Sequence, residues 1–147
     1  MYEDYSHQAV PSKKYRELVG TAIYVFNSNN DFLIENIIRN DEEGKYTWHL
    51  LIDKTSGQLA PMIKETITRS SDSTVAELFE EIVNIRNRII HSFAVTGPEG
   101  LTDDPDHQIL ATKHRNGAQE IITEEYLKNF IMKNDELSNK LHKFRGF

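Results

Sequence analysis

An all-α, up-and-down helical bundle with a small β-hairpin inserted before its C-terminal helix is the fold class this 147-residue sequence predicts. Three observations carry the prediction. Apolar residues recur at i, i+3 and i+4 over long stretches near the start, middle and end of the chain, the spacing of one helical face. A single Asn-Gly pair, Asn116-Gly117, sits between two short β-prone runs, the pattern of a tight hairpin. There is no cysteine, so packing and not disulfides must hold the fold. One core suffices at this length. The expectation is a single domain spanning 1–147, with the hairpin at about 108–122 as an insertion.

The elements follow in order. Residues 13–26 predict a helix, with Tyr15, Leu18, Val19, Ala22, Ile23 and Phe26 on one face and Ser12 as N-cap. The run NSNND at 27–31 reads as a bend or break, after which Phe32, Leu33, Ile37 and Ile38 resume the apolar face; DEEG at 41–44 reads as a turn. Residues 46–54 and 58–69 suggest two short helices separated by Ser56 and Gly57, with Pro61 in the first turn of the second. The one tryptophan, Trp48, is expected in the core. Thr74 and Glu77 form a T-x-x-E capping box that opens a helix to about residue 95, burying Val75, Leu78, Phe79, Ile82, Ile85, Ile89 and Phe93. The segment TGPEGLTDDPDH, 96–107, reads as a loop. A type I′ turn at Asn116-Gly117 would set Lys113 opposite Glu120 and Thr112 opposite Ile121. Thr123 caps the last helix, with Ile122 and Leu127 as a hydrophobic staple and Phe130, Ile131, Leu137, Leu141 and Phe144 completing its stripe.

Composition narrows the function classes. A formal net charge of −6 argues against broad binding along a nucleic-acid backbone, although a few placed arginines still suffice to grip a phosphate. Positive charge gathers at Arg86 and Arg88, and again at Lys140, Lys143 and Arg145, where it complements a helix C-terminus. No apolar run approaches the roughly 18 residues of a membrane span. MYEDYSHQ also lacks the basic start and apolar core of a signal peptide, so the expected location is cytoplasmic, with no membrane partner. No cofactor and no metal are expected: neither glycine-rich phosphate motif occurs, and His107 and His114 lie on a loop and a strand at an unsuitable spacing. Ser92 beside His91 diverges from it by about 100° and makes no triad. The acid pairs Glu80-Glu81 and Asp103-Asp104 read as solvated surface.

One stretch resists a bland reading. NIRNRIIHSF, 84–93, places Arg86, Asn87 and His91 within an apolar helix. On a helical projection His91, Asn87, Asn84 and Glu80 share one strip, whereas Arg86 lies about 140° from His91, inside the arc of Val75, Ile82, Ile89 and Phe93. A guanidinium there must pair, snorkel or face a wet cleft; Glu35 and Glu65 are the carboxylates a purely structural pairing would use. The chemistry suggests more. An imidazole moves protons near neutrality, a guanidinium grips phosphate with two parallel bonds, and an amide one turn before the histidine orients either. Together these serve metal-independent RNA cleavage by attack of the ribose 2′-hydroxyl on its own phosphodiester. The motif ends its helix at a Gly-, Pro- and Asp-rich loop expected to border the cleft and to be mobile.

Arg86, Asn87 and His91 together resemble the hallmark of the HEPN domain family, R-x(4–6)-H with a polar residue directly after the arginine. The resemblance covers the helical portion, about 12–95 and 123–145; the hairpin and the acidic loop before it lie outside the family's minimal bundle. It implies a metal-independent endoribonuclease, in many members a toxin of a toxin–antitoxin or phage-defence system, with RNA as substrate and an antitoxin as partner. It also implies a homodimer through the residue 80–93 helix, with a composite site at the interface. Arg86, Asn87 and His91 would be the catalytic set, with Glu80 and Asn84 secondary candidates. The alternative is a non-catalytic dimeric module that binds a partner protein or RNA.

Overall fold

The computed structural model describes residues 1–146. Among them are five α-helices and one three-stranded antiparallel sheet: α1 Lys13–Arg39, α2 Trp48–Ile52, α3 Ala60–Ile63, α4 Thr74–Ile90, β1 Phe93–Thr96, β2 Gln108–Lys113, β3 Gln119–Ile122 and α5 Glu124–Arg145. A 3₁₀ turn at Ser56–Leu59 leads into α3, which widens into a π-turn at Lys64–Thr68. The residues group into two compact units, 1–23 with 85–130, and 24–84 with the chain from Ile131 onward.

The all-α expectation is therefore corrected: the first unit is built on a sheet of order β1-β2-β3. The missed strand is β1. Phe93 keeps the i+4 spacing from Ile89 and so reads as a further helical turn, but the helix has already closed. The Ser92 amide and its hydroxyl both donate to the Ile89 carbonyl, at 3.3 and 2.6 Å. The chain then extends, pairing Phe93 with Ala111 and Thr96 with Gln108. The central strand demands this. Ile109, Ala111 and Thr112 of β2 are buried, and backbone groups at such depth need partners on both edges.

The hairpin exists in another register, Ala111 facing Ile121 and Thr112 facing Glu120. A type I′ turn needs positive φ at both central residues. Here Gly117 has it, at 86°, while Asn116 does not. The Gly117 amide donates to the His114 carbonyl, and the His114 amide to that of Ala118. The loop is the three-residue kind that ends in a left-handed glycine. Tyr15 ties α1 to the sheet: it is fully buried, donates to the Ile122 carbonyl (2.5 Å) and accepts from the Leu110 amide (3.2 Å).

In the second unit α1 runs straight through 27–31. Asn29 is buried and its amide reaches the carbonyl and side chain of Asn134, while Asn30 accepts from Ser56. Tertiary partners remove the reason for these residues to form a turn. Phe26 stacks on Phe79 with centroids 6.5 Å apart, and Leu33, Ile37, Leu59, Ile63 and Ile82 of the same unit are also buried. Trp48 is not core: it is 38% exposed, with Leu50 and Ile52 beside it on α2.

Candidate functional site

Helix α4 starts one residue earlier than the capping box implies. Ser73 is the N-cap, its carbonyl accepting from the Glu77 amide and its hydroxyl donating to the Glu77 carboxylate, while Asp72 holds the Thr74 amide at 2.9 Å. The Asp72 carboxyl is drawn below its ordinary range, first by the Thr74 hydroxyl and then by that amide. Val75, Leu78, Phe79, Ile82, Val83 and Ile89 bury one face, and Glu80, Asn84 and His91 are exposed.

The last turns of α4 belong to the first unit. Arg86 and Asn87 are both half-buried, and the Arg86 guanidinium donates to Asn87 Oδ1 at 2.9 Å. Neighbouring helical residues diverge by about 100°, so the arginine must curl along its own helix to reach that amide. Asn87 also receives the His91 amide at its backbone carbonyl (3.0 Å), the last α-helical bond before the chain turns away. One residue thus anchors the arginine by its side chain and the histidine by its main chain. Of the two carboxylates considered for a structural pairing, Glu35 faces Arg145 at 3.4 Å, and Glu65 accepts from Tyr46 and lies 3.8 Å from Lys45. Arg88 serves the fold, donating to the Lys113 carbonyl of β2.

The loop after β1 is anchored. The Gly97 amide donates to the His107 carbonyl (2.7 Å), and the Asp104 carboxylate accepts from the Gln108 amide (2.9 Å) and the Met1 amino group (2.7 Å). Asp104, read as solvated, is 2% exposed. Burial alone would raise its pKa; the Met1 amino group and the Gln108 amide outweigh it and hold the carboxyl below the usual range. These ties fix the two ends of the 96–107 segment.

Glu80 and Asn84 fall in the second unit, where they line a 340 Å³ cavity with Ser56, Gly57, Ala60, Ile63, Ala76, Phe79 and Val83. Sequence reading did not find this hollow. Its only trace there is small residues, Gly57, Ala60 and Ala76, set against larger apolar ones. Among the described residues no group of three or more His, Asp or Glu side chains is placed to share a metal ion. No family model, curated protein or solved structure matches the chain.

Proposed function

We propose that the chain is a metal-independent endoribonuclease whose reacting groups are Arg86 and His91. The observation that carries this reading is the 2.9 Å bond from Arg86 to Asn87 on the turn that ends in an exposed His91. A guanidinium restrained by a neighbouring amide loses less freedom when it grips a phosphate with two parallel hydrogen bonds. The reading rests on these side chains and not on the architecture, because the sheet lies outside the bundle of the family the motif resembles.

In the proposed reaction the ribose 2′-oxygen bonds to phosphorus as its proton passes to the His91 imidazole. The phosphorus–O5′ bond breaks as O5′ takes a proton from water, and His91 gives its own proton back to solvent. The products are a 2′,3′-cyclic phosphate and a 5′-hydroxyl. Arg86 stabilises the charge that builds on the non-bridging oxygens, and Asn87 fixes the guanidinium. The proposed assembly is a homodimer through the residue 80–93 helix, each site drawing on both chains. Incubation of the purified protein with RNA, with and without EDTA, tests the reading. Cleavage that persists in EDTA and leaves cyclic phosphate ends supports it. Intact RNA that stays bound to the protein replaces it with a non-catalytic binding module.

A further inference from the structure

The 340 Å³ cavity beside α4 has the make-up of a ligand site. Ala60, Ile63, Phe79 and Val83 give it apolar walls, while Glu80 and Asn84 stand one helical turn apart on the same face. The volume lies near the lower end of the roughly 300–1,000 Å³ typical of small-molecule sites. That is room for one flat heterocycle.

The polar pair selects the ligand. The other acids of α4 are occupied: Glu77 accepts from Ser73, and Glu81 pairs with Lys133 at 2.6 Å. The Ser56 hydroxyl is spent on Asn30. Glu80 and Asn84 make no side-chain hydrogen bond to any other described residue. An ionised carboxylate offers acceptors only, and an amide offers both a donor and an acceptor. Guanine is the one RNA base whose Watson–Crick edge carries two adjacent donors, N1–H and the 2-amino group, beside an acceptor, O6. Adenine and cytosine each present one amino donor beside a ring acceptor, and uracil one imide donor between two carbonyls. A carboxylate next to an amide complements guanine most fully, because only its edge gives two adjacent donors to the carboxylate and still an acceptor to the amide, with the ring against the apolar walls, the way unstacked bases are read. The π-turn that starts at Lys64, directly after cavity-lining Ile63, is a distortion that recurs at functional sites.

We infer that this cavity is a guanine-recognition site, with Glu80 accepting from N1–H and the 2-amino group, and Asn84 donating to O6. The inference rests on the RNA-cleaving reading for its role, in which it names the preferred base, but it is carried by residues other than Arg86 and His91. Titration of the intact protein with GMP, AMP, CMP and UMP, followed by amide NMR shifts, tests it directly. The expected result is shifts centred on 56–60 and 76–84, with GMP bound at least about tenfold more tightly than the other three. Glu80→Gln, a surface change, should abolish that preference. A Cβ at Gly57 meets nothing within 4 Å, so Gly57→Leu, with its melting curve taken alongside wild type, should weaken GMP by filling the cavity edge. Guanine-containing oligonucleotides that bind better than GMP identify a strand as the source of the base; GMP binding equally well identifies the free nucleotide. No shift at millimolar GMP, or equal shifts from all four nucleotides, overturns the inference. Cleavage without GMP selectivity removes this site and leaves the nuclease standing. GMP selectivity without cleavage does the reverse.

Discussion

The bond from Arg86 to Asn87 makes the arginine the most informative residue for mutation. Arg86→Ala should lower cleavage by roughly 10²-fold, about 3 kcal/mol of transition-state stabilisation. Arg86→Lys keeps the charge without the planar fork and should recover only part of that. His91→Ala should cost roughly 10²-fold or more if the imidazole moves the proton. Because His91 is exposed, its thermal unfolding should match wild type. Single-turnover rates and melting curves on the same preparations check all three, and an inactive but unfolded Arg86→Ala beside an unaffected His91→Ala would reduce the motif to a structural coincidence. Tyr15 tests the fold at the same scale. Burial, and to a smaller degree the Glu124 charge, push its pKa up to about 12, against the lowering effect of the Leu110 amide. The folded state then holds a proton that the unfolded chain releases above about pH 10, so stability falls as pH rises from 10 towards 12, by at most about 3 kcal/mol. Denaturation midpoints from pH 9 to 12 should show that slope and should show less of it in Tyr15→Phe.

Elements were legible where local chemistry decides them. Ser12 does cap α1, accepting from the Tyr15 amide at 3.2 Å, and Thr123 caps α5 by accepting from Tyr126, with Ile122 and Leu127 both buried beside it. Elements decided by distant partners were not. The polar run at 27–31 stays helical because Asn134 and Ser56 meet it, and Phe-Ala-Val-Thr becomes β1 because a buried β2 needs a second neighbour. The candidate site divides along the same line. The Arg86, Asn87 and His91 cluster is visible in one helical turn, whereas the hollow beside Glu80 and Asn84 is closed by Ser56, Gly57, Ala60 and Ile63, far back along the chain. Gly97, just after β1, offers an element-scale test. A Cβ there would lie 2.8 Å from Cγ2 of Ile109, a buried and β-branched side chain that cannot swing aside. Gly97→Ala should destabilise the protein by about 1–3 kcal/mol. An unchanged urea midpoint would mean that the β1–β2 packing yields more than this geometry allows.

At the scale of the whole molecule the question is what covers the end of α4. Ile90 and Phe93 flank His91 in sequence and are 49% and 37% exposed. Apolar area on both sides of a proposed reacting group is wasteful in a monomer and useful at an interface, where aromatic and aliphatic anchors supply most of the binding energy. With a formal net charge of −6, the chain also needs local neutralisation to hold a phosphate, and two copies of Arg86 at a shared two-fold axis would supply it. The expected outcome is a dimer in light scattering, shifted towards monomer by Ile90→Lys with a matching fall in cleavage. A sharper version uses complementation. If each site takes its arginine from one chain and its histidine from the other, Arg86→Ala and His91→Ala chains are each inactive alone. Mixed and allowed to exchange, half of the dimers contain one of each, and one of the two sites in such a dimer is intact. About a quarter of wild-type activity should therefore return, as two-fold symmetry requires. No recovery despite proven subunit exchange places both residues of a site on one chain, and a wild-type protein that stays monomeric at high micromolar concentration removes the composite site altogether.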